Sequence, residues 1–324
     1  MVEDFPKLII ISGPTCSGKS ALAVDIALIL GGEIINADSM QVYRGMDIGT
    51  AKLPLSERKG IPHHLIDIIN PDQEFNAALF LFHALPIIRT LHGKKIPIII
   101  VGGTGLYVKA LLGGLFKCPS PKPELRQKLR QECEKRGPSF LYERLSRLDR
   151  KAADTIKPTD KVRIIRALEV IYLTGSPFSE LTRKHAFSDR QFLALNLCLN
   201  INRQVLYSRI NTRTVSMIDS GLIGEVEGLL EMGYSPELKP MQSIGYRHII
   251  CYLKGRWDLD EATRLIQRDT RRYAKRQLTW FSADPDVIWV NPAYKPAIIN
   301  KVMAFIPNPA INADFHIKEV EKPR

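Results

Sequence analysis

No apolar run in this 324-residue chain approaches the length of about 20 residues that crosses a bilayer, so no membrane association is expected. Cysteine is scarce and scattered. Cys16, Cys118, Cys133, Cys198 and Cys251 form no Cys-x-x-Cys pair, which argues against a disulfide framework and a thiolate zinc site. His63 and His64 are adjacent, not at metal-ligand spacing. Acidic residues are in deficit: 34 Asp and Glu against 46 Lys and Arg leave a net charge of +12. A protein that meets only a small phosphate compound does not need that excess. A large polyanion such as nucleic acid accounts for it. The start, Met1-Val2-Glu3-Asp4-Phe5, is acidic and runs straight into an apolar segment. It leaves no room for a signal or transit peptide, so a cytoplasmic protein is expected. The length allows a sizeable core and favours two domains over one.

What is present begins with Gly13-Pro14-Thr15-Cys16-Ser17-Gly18-Lys19-Ser20, which fits G-x-x-x-x-G-K-[ST]. The β-branched run Lys7 to Ile11 precedes it as a buried strand, and Ala21 to Leu30 follows as a helix packed on a sheet. In that context Gly13 and Gly18 let the backbone close around an anion. The loop N–H groups and the helix N-terminus then face it. Lys19 reaches an outer phosphate, and the Ser20 hydroxyl is placed to ligate Mg²⁺. The loop therefore binds a polyphosphate, with ATP as the default. The motif does not tell transfer from hydrolysis or release.

Residues 7–117 alternate strand and helix. Further strands are predicted at Glu33–Asp38, His64–Ile69 and Ile96–Val101, and a helix over Asn76–Leu91. This pattern gives an α/β fold, a parallel sheet with helices on both faces. Three prolines in Pro119–Pro123 break it. From Glu124 to Thr182 charged residues and leucines recur at helical spacing, predicting an inserted domain of two to four helices. Phe192–Leu199 returns to the sheet, and a helical region over Arg203–Tyr294 contains one short late strand, Asp286–Val290. The expected organisation is residues 1–118 as the first part of the core, 119–190 as the insertion and 191–306 as the second part. Residues 307–324 form a polar tail expected to be disordered.

Asp38 lies at the carboxyl end of the second strand, the edge where open parallel sheets bind ligands. It suits a general base or a water-mediated Mg²⁺ contact, and equally a turn cap. The fourth strand ends in Gly102-Gly103-Thr104-Gly105 without the acid that hydrolytic motors place there, and Asp67 is a weak substitute. The glycine run suggests a second close approach of backbone to ligand. Arg264, Arg268, Arg271, Arg272, Lys275 and Arg276 fall on one helical sector. Ile266, Thr270, Tyr273, Ala274, Gln277 and Phe281 fall on another, toward a core. Such a stripe suits a phosphate backbone, or a solvated face. Lys161, Arg163 and Arg166 form a second cluster, and Arg203, Arg209 and Arg213 a third.

Gly13–Ser20, the string Ala37-Asp38-Ser39-Met40-Gln41-Val42-Tyr43-Arg44-Gly45-Met46-Asp47-Ile48-Gly49-Thr50-Ala51-Lys52, Gly102–Tyr107, Arg166–Val170 and Ile244-Gly245-Tyr246-Arg247 together resemble tRNA dimethylallyltransferases, also called tRNA isopentenyltransferases. The resemblance runs to about Trp280. It implies a P-loop NTPase-like sheet with an inserted helical domain that embraces the tRNA anticodon stem-loop. It also implies transfer of a dimethylallyl group from dimethylallyl diphosphate to N6 of the adenosine 3′ of the anticodon, with Mg²⁺ as cofactor. By that resemblance Asp38 is the catalytic base, and Gly13–Ser20 with Arg213 bind the diphosphate. Asp38, Ser39, Met40, Gln41, Thr104, Gln242, Gly245, Tyr246 and Arg247 line the path of the adenosine, while Arg126, Arg163 and Arg166 contact tRNA. A monomer is expected.

Two departures bear on that resemblance. Cys16 stands where the family usually has Ala or Gly, and a tolerated thiol open to oxidation is expected. No spacing for the C-terminal zinc finger of eukaryotic members is present, so the chain resembles the bacterial branch. The competing readings are an adenylate isopentenyltransferase acting on free nucleotides, a P-loop small-molecule kinase and a non-catalytic RNA-binding protein.

Overall fold

The run Lys7–Ser12 forms β1, exposed at Lys7 and buried from Leu8 onward. It lies inside the sheet, with a strand paired on each side. β4 (Ile98–Val101) pairs on one side and β5 (Leu193–Leu199) on the other. With β2 (Glu33–Asn36), β3 (His63–His64) and β6 (Ile288–Val290) the order is β3-β2-β4-β1-β5-β6, and every pairing is parallel. The coordinates are a computed structural model that describes residues 5–116, 122–185 and 187–306. The predicted disordered tail, Cys118 and most of the proline-rich break lie outside the described residues.

The chain divides into two compact units, Met1–Leu111 with Gln191–Arg324, and Leu112–Arg190. In the first, α1 (Lys19–Leu30) buries Leu22, Ala23, Ile26, Ala27 and Leu30 on the sheet face made by Ile9, Ile11, Ile34, Ile99 and Leu197. Alternate residues such as Ile10, Ile35 and Ile100 point to the opposite face. α2 (Ala77–Gly93) starts at Asn76, whose side chain accepts from the Ala78 and Leu79 N–H groups, and α3 (Gly105–Gly113) follows β4.

Among the described residues the second unit contains five helices: α4 (Pro123–Arg136), α5 (Pro138–Leu148), α6 (Arg150–Thr155), α7 (Lys161–Thr174) and α8 (Phe178–His185). Two to four were expected. The extra breaks come from Gly137-Pro138 and from Asp149, which ends α5 and caps α6 through the Ala152 N–H at 3.0 Å. Their core is Leu129, Leu141, Leu145, Ile164, Leu168 and Ile171.

The chain then returns through β5 to α9 (Arg203–Asp219), α10 (Leu222–Glu231), α11 (Tyr246–Leu253), α12 (Leu259–Ser282) and β6. One further helix, α13 (Lys295–Phe305), lies beyond the region read as helical. Its Ile298 and Val302 join the cluster under α1, and Lys295 Nζ donates to Asp25 Oδ2 at 2.6 Å. The third strand is much shorter than expected. Leu65 and Asp67 have φ of 61° and 57°, which ends the ladder after two residues.

Candidate active site

The phosphate loop leaves β1 at Ser12 and enters α1 at Lys19. Gly18, with φ of 92°, is the left-handed residue that turns it into the helix. Cys16 is also left-handed at φ 63°, which costs an L-residue roughly 1–2 kcal/mol. Its side chain packs against the buried cluster of Leu206, Ile210 and Ala274. That burial pushes the thiol pKa up, against the opposing pull of Arg213 and Lys19, so the thiol stays protonated at neutral pH. The environment therefore disfavours the oxidation expected at Cys16.

Lys19 Nζ donates to the Pro14 carbonyl at 2.7 Å. Burial lowers its pKa to about 8, Asp38 opposes the shift and Arg213 adds to it. Two cations thus converge on one loop, an arrangement that an anion between them would relieve. Arg213, on α9, donates to Thr15 Oγ1 at 2.5 Å. Ser17 is 1% exposed and its hydroxyl has no protein partner, so the loop presents an unsatisfied oxygen to its cavity.

That cavity measures about 680 Å³. Of the predicted residues, Thr15 to Ser20, Asp38 to Gln41, Arg213, Gly245 and Arg247 line it. Asp38 stands two residues beyond β2, and its Oδ1 accepts the Met40 N–H at 2.8 Å. It is therefore a turn cap and a cavity carboxylate at once. Gly13, Pro14, Thr104, Gln242 and Tyr246 are not part of its lining. Thr104 Oγ1 accepts the Ser39 N–H at 3.1 Å, so it positions the Asp38 segment. Gly13 packs on the Leu199 backbone, where a Cβ would lie 3.1 Å from its N and O. Lys19 takes the Pro14 carbonyl. Gln242 donates to the Pro236 carbonyl at 2.7 Å. Tyr246 is fully buried and donates its hydroxyl to Glu225 at 2.5 Å.

The recognition string proves largely architectural. Lys52 Nζ donates to the Tyr43 carbonyl and to Asp47, each at 2.6 Å, and also to Asp67. This assigns Asp67 away from chemistry. Glu225 accepts the N–H groups of Asp47, Ile48 and Gly49 at 2.9, 2.6 and 3.1 Å. In the glycine run after β4, Gly102 and Gly103 line the same cavity, and the run is also closely packed. A Cβ at Gly102 would meet the Ala37 carbonyl at 2.2 Å, at Gly103 the Gln277 amide at 2.2 Å, and at Gly105 the Trp280 ring at 2.1 Å. The backbone there approaches the chain's own groups closely, and at Gly102 the neighbour is backbone, which cannot move aside for a Cβ.

Sequence reading missed Glu225 and Gln277. Glu225 carries no local signal. Gln277 did carry one, being a polar side chain on the core-facing sector of α12. That helix buries Ala262, Leu265, Ile266, Ala274, Gln277 and Phe281, as its pattern requires. Its basic stripe is partly engaged internally. Arg268 Nε donates to Asp269 Oδ1 at 2.9 Å, and Arg247 to Asp269 Oδ2 at 2.6 Å. Burial would raise the Asp269 pKa, but these guanidinium bonds outweigh it and hold the group far below the usual carboxylate range. Arg271 donates to Asn211 Oδ1 at 2.6 Å. Arg272 and Lys275 remain exposed, with Arg272 only loosely paired at 3.7 Å from Asp269.

In the helical unit, Arg126 grips Glu169 with two bonds at 3.1 and 2.8 Å, and Arg166 adds a third at 2.7 Å. The Glu169 side chain has no exposure. Burial pushes its pKa up, and the two guanidinium groups together overcome this and leave it lowered. Arg126 and Arg166 thus carry a structural duty, whereas Arg163 is 65% exposed at its side chain. Among the described residues no group of three His, Cys, Asp or Glu could hold a metal, and no helix is long and apolar enough to cross a membrane.

A family model described as IPP transferase matches residues 41–284, and one described as isopentenyl transferase matches residues 6–64. The chain belongs to the IPP transferase family. It is 49% identical over 301 residues to tRNA dimethylallyltransferase 2 of Syntrophus aciditrophicus, covering 93% of this chain and 97% of that protein. It is 50% identical over 304 residues to tRNA dimethylallyltransferase 2 of Geotalea uraniireducens, covering 94% and 98%. Among solved structures, the full-length tRNA isopentenylpyrophosphate transferase of Bacillus halodurans superposes with a TM-score of 0.68 at 38% identity, over 96% of this chain and 100% of that one. A eukaryotic dimethylallyltransferase acting on tRNA superposes with a TM-score of 0.80 at 29% identity, over 97% of this chain and 81% of that one. Within this IPP transferase the parallel sheet is the P-loop-like fold of these neighbours. The phosphate loop and Asp38 belong to a single cavity of the sheet unit.

Proposed function

We propose that this protein transfers a dimethylallyl group from dimethylallyl diphosphate to N6 of the adenosine 3′-adjacent to the anticodon of tRNA, releasing diphosphate. The observation that carries this reading is the pairing, in one cavity, of a phosphate loop with a carboxylate close enough to bias the loop lysine. The family match and the names of the relatives supply the group transferred and the acceptor.

The adenine amine is a weak nucleophile because its lone pair is delocalised into the ring. Asp38 accepts the N6 proton as nitrogen attacks the allylic carbon. The carbon–oxygen bond breaks toward diphosphate, which takes the electron pair. Loop N–H groups, Lys19 and Arg213 stabilise the charge that grows there. Mg²⁺ fits the donor set: the Ser20 and Ser17 hydroxyls are hard oxygen groups, Ser17 lacks a protein partner, and Mg²⁺ takes its remaining ligands from phosphate and water. When bound, Mg²⁺ would neutralise diphosphate charge; Ser20 would hold it. No water is activated in this reaction, so the glycines after β4 cost it nothing. The adenosine leaves its stack to enter the cavity, past Ser39 to Gln41, Gly245 and Arg247. The helical unit and the exposed cations of α12 bind the anticodon stem-loop through its phosphates. The enzyme acts as a cytoplasmic monomer on this reading.

The deciding assay incubates the protein with labelled dimethylallyl diphosphate, Mg²⁺ and unmodified tRNA, then maps the labelled nucleotide. Label at the adenosine 3′ of the anticodon is expected. Label on free AMP, ADP or ATP in preference to tRNA would overturn the acceptor, and consumption of ATP would point to a kinase.

A further inference from the structure

One side chain in the wall of the cavity ties the phosphate loop to the segment that carries Asp38. Gln277, on α12, is 6% exposed. Its Oε1 accepts the Thr15 N–H at 2.9 Å, and its Nε2 donates to the Gly103 carbonyl at 2.9 Å. The next links follow from there. Gly103 is succeeded by Thr104, whose Oγ1 accepts the Ser39 N–H at 3.1 Å, adjacent to Asp38. A continuous path therefore runs from Thr15 through Gln277, Gly103, Thr104 and Ser39 to Asp38. The fit is close: a Cβ on Gly103 would lie 2.2 Å from the Gln277 amide nitrogen. Only a side chain with one donor and one acceptor at this length satisfies both backbones. Glutamate, ionised, accepts twice and donates nothing, and leucine does neither.

We propose that Gln277 is a positioning residue that sets the separation between the diphosphate cradle and the Asp38 segment. It acts on the transfer step through the two backbone groups it holds, the Thr15 N–H and the Gly103 carbonyl. The proposal rests on the reaction described above and is tested so that the two fail separately.

The variants are Q277E and Q277L, each checked by thermal unfolding. At pH 8 Q277E should lose tenfold or more in kcat/KM for dimethylallyl diphosphate, with KM for tRNA within twofold of wild type. The ionised carboxylate faces the Gly103 carbonyl without a proton to offer. As pH falls from 8 to 5 the ratio of Q277E to wild-type activity should rise, because the protonated carboxyl again donates to Gly103. Q277L should show the loss with no such recovery. A flat ratio for Q277E across that range, or a loss confined to KM for tRNA, overturns the proposal. Titration of dimethylallyl diphosphate into wild type and both variants without tRNA reads the loop alone. If wild type transfers nothing, the reaction reading fails. A fivefold or greater loss of diphosphate affinity in Q277E at pH 8, recovered at pH 5, would still support Gln277, and unchanged affinity would refute it.

Discussion

Alkaline pH should loosen the grip of the phosphate loop on its anion well before ordinary lysines titrate. Burial brings the Lys19 pKa to about 8 from an ordinary value of 10.5, Asp38 pulling back and Arg213 pushing further. A diphosphate monoester is fully ionised above neutrality, its last phosphate pKa being about 6, so the ligand contributes no titration in this window. If the loop binds diphosphate only with Lys19 charged, the competent fraction is about 0.9 at pH 7, about 0.1 at pH 9 and about 0.01 at pH 10. Affinity for dimethylallyl diphosphate should therefore fall about tenfold from pH 7 to 9 and about ninetyfold by pH 10, about 1.4 kcal/mol for each unit well above the pKa. Calorimetric titrations at pH 7, 8, 9 and 10, repeated in buffers of different ionisation heat, measure both the affinity and the proton taken up on binding. Lys19→Arg, which stays charged, should bind with no such pH dependence. Constant wild-type affinity from pH 7 to 9.5 with no proton uptake would refute the argument. The stability of the free protein runs the other way. Its unfolded state holds the Lys19 proton more tightly, so the burial penalty shrinks, and stability rises, as pH climbs from about 8 toward 10.5.

Asp38→Asn keeps an oxygen for the Met40 N–H yet cannot take a proton. Turnover should fall by a factor of about 10²–10⁴ while diphosphate affinity holds, and near-normal turnover would remove Asp38 as the base. Arg272→Ala with Lys275→Ala should weaken tRNA binding and lower the slope of log K against log salt by about 1–2; an unchanged slope would make the exposed stripe a merely solvated face. Arg126→Ala leaves the buried Glu169 with Arg166 alone, and chemical denaturation should show a loss of about 3 kcal/mol at neutral pH. Because the Glu169 pKa is lowered in the fold, its contribution is present above the ordinary carboxylate value. That contribution fades as pH falls through the folded value, so the variant and wild type should converge in acid.

The strand, loop and first helix were legible because each is a local pattern: β1, Gly18 and α1 lie within 24 consecutive residues, Lys7 to Leu30. The alternation of strands and helices likewise foretold the parallel sheet. The same local reading overextended β3, where Leu65 and Asp67 turn left-handed with no glycine to announce it. It also undercounted the helices of the second unit, since a capped break such as Asp149 leaves the helical spacing almost undisturbed. The roles of individual residues were less accessible. Arg126 and Arg166 read as cations available for phosphate, yet both close on a buried carboxylate, one of them 43 positions away.

Local pattern alone was enough to show a G-x-x-x-x-G-K-S loop between the first strand of an α/β sheet and its first helix, a carboxylate after the next strand and a basic helix. Those features depend on residues near one another and on periodicity. Only the tertiary structure decided which glycines are required by packing and which cations are already engaged. Only it revealed that Gln277 and Glu225 hold the cavity walls in place. Their bonds join residues 262, 174 and up to 178 positions apart, and no local pattern encodes a pairing that exists only once α9, α10 and α12 fold back over the sheet.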